Sequence, residues 1–134
     1  MIAVLDASAA VEVILQRSHA DDIQDALAEA DLVVAPDLYV AEASNALWKY
    51  AEADGGRNNA LELLEDAMSL PDKFVPSQEL YREALSFSIK THHPVYDSLY
   101  VVLARRQSAT LLTMDRRLAS LAQKEGIGVV PRVK

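Results

Sequence analysis

The chain contains 134 residues, of which 51% are hydrophobic and 25% charged, and it has no cysteine. This length suits one domain with one core, and the missing cysteine excludes disulfides and thiolate metal sites. No apolar run approaches the roughly 20 residues that span a bilayer, and no basic and apolar leader precedes a cleavage site. We expect a single cytoplasmic domain over residues 1–134, without a membrane anchor.

The net charge of −7 is unevenly spread along the chain. Residues 1–97 contain 6 Lys+Arg and 18 Asp+Glu, whereas residues 98–134 contain 7 Lys+Arg and 2 Asp+Glu. An acidic chain is not an obvious nucleic-acid binder, because phosphate contacts favour a basic surface. The basic C-terminal part leaves that function open, although both parts could simply be solvated surface.

The first 36 residues predict two strands that enclose two helices. Ile2–Leu5 is a continuous apolar run, typical of a buried strand. Ser8–Arg17 predicts a helix with Ser8 as its N-cap, and Ala20–Ala30 predicts a second helix with acids in its first turn. Asp31–Pro36 predicts the second strand, which the proline ends.

A long helix is predicted over Asp37–Asp54, and Gly55-Gly56 is expected to end it. Four residues supply much of its predicted apolar face, namely Leu38, Ala41, Leu47 and Trp48. Trp48 is expected to pack in the core or in a dimer contact rather than on a base.

The remaining elements again alternate between helix and strand. Helices are predicted over Asn58–Leu70, Gln78–Thr91 with Ser77 as N-cap, Tyr96–Gln107 and Arg116–Gly126, and strands over Lys73–Pro76, Ala109–Thr113 and Ile127–Pro131. Short apolar strands separated by helices indicate an α/β fold, with one short parallel β-sheet flanked by helices on both faces.

Two acidic residues directly follow predicted strands. Asp6 follows the first strand, and Asp115 follows the strand at Ala109–Thr113 with Met114 between. Ligands of open parallel sheets bind beyond the carboxyl ends of the strands, so the two carboxylates would meet if these strands are neighbours. Either aspartate could instead cap the helix that follows it.

Two further acids lie in helices. Glu42 is the only charge between Leu38 and Trp48, so it must reach the rim or find a partner, because an unpaired buried charge is costly. Asp97 lies near the start of a helix whose next turns are apolar, and it could point toward the sheet edge. Alternatively, Glu42 is a solvated or ion-paired residue and Asp97 an acid favoured by the helix dipole.

Carboxylates that converge on one edge would repel one another and raise one another's pKa. A hard divalent cation relieves this repulsion, and carboxylate and water oxygens suit Mg²⁺ or Mn²⁺. Such an ion polarises a phosphoryl oxygen and activates water. The residues therefore predict hydrolysis of a phosphodiester.

Four segments resemble the PIN domain family, and within it the VapC-like toxins of toxin–antitoxin pairs. They are "VLDASA" at the start, "AEASNAL" at Ala41–Leu47, "YDSLYVVLAR" at Tyr96–Arg105 and "LLTMDRRLA" at Leu111–Ala119. The order and spacing of these segments, across essentially the whole chain, make the resemblance specific.

The resemblance implies a metal-dependent endoribonuclease that uses Mg²⁺ or Mn²⁺. Its catalytic and metal-binding acids would be Asp6, Glu42, Asp97 and Asp115. Supporting residues would be Ser8 and Thr113, which would orient carboxylates or water, and Asn45, which could instead be an ordinary surface amide. The resemblance also implies a homodimer, an RNA substrate and a small antitoxin whose C-terminal segment lies across the active-site groove.

Among the basic residues, Arg105-Arg106 and Arg116-Arg117 are candidates for phosphate contact. Arg116 and Arg117 are the preferred pair because they follow Asp115, although either could be salt-bridged surface. His92-His93 precedes a proline and is expected in an exposed loop, and His19 is expected at a helix start.

Other functions remain as alternatives. A phosphatase that uses Asp6 as nucleophile would want a second acid where Ser8 stands, and a receiver-like domain would want an acidic pair near its first strand. Neither G-x-G-x-x-G nor a Walker motif is present, which disfavours a nucleotide-binding module. A non-catalytic interaction domain of the same fold, or a PIN nuclease that processes RNA outside a toxin pair, stays open.

Overall fold

The computed structural model describes residues 1–54 and 59–132. The five strands of these residues are β1 (Ile2–Leu5), β2 (Leu32–Pro36), β3 (Lys73–Val75), β4 (Thr110–Leu112) and β5 (Val129–Val130). The helices are α1 (Ala7–Ile14), α2 (Ala20–Glu29), α3 (Leu38–Ala53), α4 (Ala60–Ser69), α5 (Tyr81–Thr91), α6 (Val95–Gln107) and α7 (Arg116–Lys124). Each predicted element is therefore present, with ends that move by a few residues. The predicted glycine stop at 55–56 and the predicted helix start at residue 58 lie outside the described residues.

The strands form a single parallel sheet in the order β3-β2-β1-β4-β5. Because parallel neighbours need crossover connections, the helices are carried onto both faces of the sheet. The predicted α/β class, with a parallel sheet and helices on both faces, is confirmed.

Alternate residues of the strands bury opposite faces of the sheet. Val4 belongs to a cluster with α5, α6 and α7, whereas Ala3 and Leu5 belong to a cluster with α1, α2 and α3. Both clusters are buried, so β1 is covered on both sides, as its continuous apolar run predicts. None of the described helices is long and apolar enough to cross a bilayer.

Three local predictions are wrong. The buried face of α3 is formed by Tyr39, Ala43 and Leu47, while Ala41 is exposed. Trp48 is 57% exposed and does not pack in the core, so of its two predicted places only the dimer contact remains a prediction. The Tyr39 side chain is fully buried, and its hydroxyl donates to the carbonyl of Ala67 on α4 at 2.6 Å. This contact turns the Tyr39 side of α3, and not the Trp48 side, toward the core.

The other two corrections concern helix starts. Ser77 does not cap α5, because Ser77–Glu79 forms a separate 3₁₀ turn before α5 begins at Tyr81. Ser8 does not cap α1 either, because α1 already begins at Ala7 and the Ser8 hydroxyl bonds elsewhere.

Candidate active site

The register of β1 and β4 brings two parts of the site together. Leu5 pairs with Leu112, so Asp6 and Thr113 leave the sheet side by side. The Asp6 backbone N–H donates to the Leu112 carbonyl at 2.9 Å and continues the ladder by one residue. The Asp6 side chain is consequently held at the carboxyl edge of the sheet, where it is only 5% exposed.

Two hydroxyl groups donate to the same Asp6 oxygen. Ser8 Oγ lies 2.5 Å and Thr113 Oγ1 lies 2.6 Å from Asp6 Oδ2. Each hydroxyl also accepts a backbone hydrogen bond, Ser8 from Met114 N–H at 2.9 Å and Thr113 from Asp115 N–H at 3.0 Å. Ser8 and Thr113 thus orient Asp6 and tie the β1 end to the β4 end.

Asp6 is a buried carboxylate whose hydrogen bonds come from neutral groups. Burial raises its pKa most, the Ser8 and Thr113 hydroxyls oppose that shift, and the negative charge of Asp115 adds to it. Although Asp6 lies at the N-cap position of α1, its side chain makes no capping hydrogen bond. The capping alternative for Asp6 is therefore wrong.

Asp115 caps a helix, and its charge also acts on the other candidate acids. Its Oδ1 accepts from the backbone N–H groups of Arg117 at 3.0 Å and Leu118 at 3.2 Å, so it caps α7 as the sequence alternative predicts. At the same time its charge raises the pKa of Asp6, Glu42 and Asp97. The cap therefore fixes the position of a carboxylate whose charge acts on the other three.

Glu42 lies on α3, and a hydrogen bond from Tyr100 holds its side chain at the site. The Tyr100 hydroxyl on α6 donates to Glu42 Oε1 at 2.7 Å. Burial raises the pKa of half-buried Glu42 most, the Tyr100 hydrogen bond lowers it, and the charges of Asp6, Asp97 and Asp115 raise it. Glu42 therefore finds the partner that its uncharged surroundings predict.

Tyr100 was not predicted from the sequence as a site residue. It is 1% exposed, and burial together with the charges of Asp6 and Glu42 raises its pKa, so its hydroxyl stays protonated and acts as a donor. The available signal was its position three residues after Asp97, which places both on one face of α6.

Asp97 lies in the first turn of α6 and is 6% exposed. Its Oδ2 accepts from Arg117 Nε at 3.0 Å. Burial raises the pKa of Asp97 most, the Arg117 guanidinium and His93 oppose that shift, and Asp115 adds to it. Arg117 is 61% exposed, so the ion pair joins a buried carboxylate to a guanidinium at the surface.

The remaining predicted residues are exposed, and they differ in how close they lie to this cluster. Asn45 is exposed on α3, one turn after Glu42, and Arg116 is exposed beside Asp115. Arg105 and Arg106 form ion pairs with Glu83 and so do not face the site.

The histidines take ordinary positions. His19 is the N-cap residue of α2, as predicted. His92 is exposed with a left-handed φ of 61°, and His93 Nδ1 lies 2.9 Å from the Thr91 carbonyl oxygen.

The oxygen-rich donor set has the chemistry that a hard divalent cation requires. Three of the carboxyl groups have raised pKa values, and mutual repulsion contributes to each. In the part of the chain that the structure describes, however, no three acidic or histidine side chains already form a group that could hold a metal ion. The residues fit a cation chemically, and the carboxylates would have to close around it.

The fold is an α/β domain whose short parallel sheet carries acidic side chains at its carboxyl edge. Comparison with known families gives the same class of protein. The PIN domain family matches residues 3–124, so the chain belongs to this family. Ribonuclease VapC3 from Pyrobaculum aerophilum is 32% identical over 121 residues, which cover 87% of this chain and 91% of that protein. A crystal structure of PAE2754 from Pyrobaculum aerophilum has a TM-score of 0.72 at 25% identity, and the match covers 97% of this chain and 84% of that chain.

Proposed function

We propose that this protein is an endoribonuclease that depends on Mg²⁺ or Mn²⁺ and acts as the toxin of a toxin–antitoxin pair. The observation that carries the proposal is the position of four acids at the carboxyl edge of the sheet, where Asp6 and Asp115 follow the paired strands β1 and β4 and the charge of Asp115 acts on Asp6, Glu42 and Asp97. Membership of the PIN family and the likeness to a protein named as a ribonuclease support an RNA substrate. The site lies within one domain over residues 1–134, and we place the protein with its substrate in the cytoplasm.

Asp6, Glu42, Asp97 and Asp115 would hold the ion. When bound, a divalent cation neutralises crowded carboxylates, polarises a phosphoryl oxygen and activates water. The chain's own contribution is positional. Two hydroxyls fix one oxygen of Asp6, while the backbone of α7 fixes Asp115.

Glu42 and Asp97 are held by different kinds of partner. Tyr100 gives Glu42 a neutral donor, and Arg117 gives Asp97 a cationic one. Arg117 would therefore leave Asp97 for a phosphate when the ion arrives, since a guanidinium binds phosphate oxygens as well as carboxylate oxygens. Asn45, one turn from Glu42, would contact water or RNA at the rim.

The direct test is cleavage of single-stranded RNA with Mg²⁺, with Mn²⁺ and with EDTA. Asp6→Asn and Asp97→Asn should abolish cleavage, and EDTA should do the same to the wild-type protein. Asp66→Asn is the control, because Asp66 is exposed on α4 away from the site. Equal cleavage under all conditions would exclude the metal–carboxylate mechanism, whereas tight binding of a protein partner without cleavage of any RNA would favour the interaction domain.

A small antitoxin would inhibit the enzyme by laying its C-terminal segment across the carboxylate groove. The acidic cluster favours a basic residue in that segment, which would compete with the cation or the RNA. A small reading frame immediately upstream would support this partner, and its product should copurify with the protein and suppress cleavage.

We also propose that the protein is a homodimer. Tyr81, Leu85 and Ile89 follow one another at helical spacing on α5, and they are 52%, 52% and 68% exposed. An exposed apolar stripe of this kind is typical of an interface. Ile89→Glu should halve the mass measured by light scattering, while Leu61→Glu, at a leucine of α4 that is 79% exposed, should leave it unchanged.

A further inference from the structure

A cleft of about 440 Å³ opens beside the carboxylates. It lies between the start of α2, the start of α7 and the residues that follow β5. Its size is within the range of about 300–1,000 Å³ that is usual for small-ligand sites. The cleft is therefore large enough for one nucleotide unit and too small for a duplex.

One wall of the cleft is basic although the protein is acidic as a whole. Arg116 and Arg132 line it together with His19. Within residues 1–54 and 59–132, neither Arg116 nor Arg132 forms an ion pair, whereas Arg105, Arg106 and Arg117 are all paired with carboxylates. His19 Nδ1 lies 3.6 Å from Glu12 Oε2. The two arginines thus present uncompensated guanidinium groups to the cleft.

The other part of the lining is apolar. Met114, Ala119 and Pro131 contribute to it. Met114 also packs against the buried cluster that contains Ala3 and Leu5, so the core supports this part of the cleft. A lining that combines apolar side chains with two guanidinium groups matches the two parts of a nucleotide, which are a flat base with its sugar and an anionic phosphate.

The cleft is continuous with the carboxylate cluster. Asp115 and Thr113 line the cleft, and the Thr113 hydroxyl also donates to Asp6 at 2.6 Å. A group bound in the cleft is therefore separated from Asp6 by the length of one side chain. The cleft and the carboxylate cluster therefore share Thr113 and Asp115, so a strand that occupies the cleft passes directly beside Asp6.

We propose that this cleft binds the nucleotide next to the scissile phosphate of a single-stranded RNA, with Arg116 and Arg132 on its phosphate. The inference rests on the proposed nuclease function and adds to it a subsite that includes His19 and Arg132. It also explains how a protein of net charge −7 holds a polyanion beside four carboxylates, because the positive charge is concentrated on one side of them.

The test compares Arg116→Ala, Arg132→Ala and the double variant with Arg82→Ala, at an exposed arginine on α5 outside the cleft. Cleavage of a fluorescein-labelled single-stranded RNA of mixed sequence is measured with Mn²⁺. Each cleft variant should raise KM about tenfold through loss of a charge-assisted hydrogen bond, with kcat little changed. Arg116→Lys should restore part of the loss.

Binding gives a second readout. On the Asp97→Asn background, fluorescence anisotropy of the same RNA should show a salt dependence about one unit shallower for each arginine removed. The Arg82→Ala protein should match its parent in both measurements.

The possible failures are distinguishable. Cleavage by the wild-type protein, with KM and salt dependence unchanged in the double variant, would overturn the subsite and leave the nuclease proposal standing. Absence of both RNA binding and cleavage in the wild-type protein would overturn both. Unchanged RNA kinetics together with loss of a copurifying protein partner would overturn the subsite in favour of a protein-docking role.

Discussion

The Tyr100 hydroxyl donates to Glu42 Oε1 across 2.7 Å and so connects α6 to α3 above the carboxyl edge of the sheet. Tyr100 is almost fully buried, and Glu42 lies at the rim. This hydrogen bond holds Glu42 in position and lowers its pKa against the larger effect of burial, because a donor to a carboxylate favours its ionised form.

Tyr100→Phe should therefore raise the pKa of Glu42 further and cost about 1–2 kcal/mol of stability. If Glu42 must be ionised for activity, the acid limb of the pH profile of kcat/KM should move to higher pH. Tyr96→Phe, at a tyrosine that is 64% exposed, is the matched control. An unchanged acid limb in Tyr100→Phe would mean that the Tyr100 hydroxyl does not control the ionisation of Glu42.

Thr113→Val removes a donor to Asp6 and an acceptor for the Asp115 backbone N–H in one step. Because both partners are left without this hydroxyl, the variant should lose about 2 kcal/mol in the free energy of unfolding. Urea unfolding measures the loss. Thr113→Ser, which keeps the hydroxyl, should recover most of it, and equal losses in the two variants would mean that the methyl group rather than the hydroxyl matters.

The two roles of Asp115 can be separated by the choice of substitution. Asn is as good an N-cap as Asp, whereas Ala costs about 1 kcal/mol at such a position. Asp115→Asn should keep the stability of α7 and lose RNA cleavage, while Asp115→Ala should lose both. Cleavage at the wild-type rate by the stable Asp115→Asn protein would assign Asp115 to capping alone.

The metal-free protein should become less stable as the pH rises from the acid range toward neutrality. Burial raises the pKa values of Asp6, Glu42 and Asp97 in the folded state. A carboxyl group with a raised folded pKa stabilises the fold below its unfolded pKa, and this contribution is lost as the pH rises through the folded pKa.

Urea unfolding in EDTA across this pH range measures the effect. Asp6→Asn should show a flatter dependence than the wild-type protein, and Asp66→Asn should not. The exposed Asp31, whose pKa is lowered by its bond to the Met1 amino group, acts in the opposite direction and cancels in the comparison. Parallel curves for Asp6→Asn and the wild-type protein would contradict the burial argument.

Arg117→Ala should tighten the binding of Mn²⁺. The guanidinium holds Asp97 Oδ2 at 3.0 Å and repels a cation at the same place, so its loss should improve the affinity about fivefold. Isothermal titration measures the change. Arg106→Ala, at an arginine paired with Glu83 instead, serves as control, and weaker binding in Arg117→Ala would show that Arg117 supports the ion site rather than competing with it.

The sequence by itself determined the elements and the edge of the sheet where the site lies. Short apolar strands and helices of period 3.6 are local patterns, and local patterns specify local structure. The positions of Asp6 and Asp115 after strands likewise follow from chain order, because parallel strands end at a common edge.

Only the tertiary structure decided which side chains touch. The bond from Thr113 to Asp6 joins residues 107 positions apart, and the bond from Tyr100 to Glu42 joins residues 58 apart. Such contacts depend on the register of β1 with β4 and on the packing of α6 against the sheet. The same reason explains two wrong predictions. Ser8 was expected to cap α1, but its hydroxyl bonds to Asp6 and to the Met114 N–H. The buried face of α3 was predicted from helical spacing, but it is set by the contact of Tyr39 with Ala67 on α4.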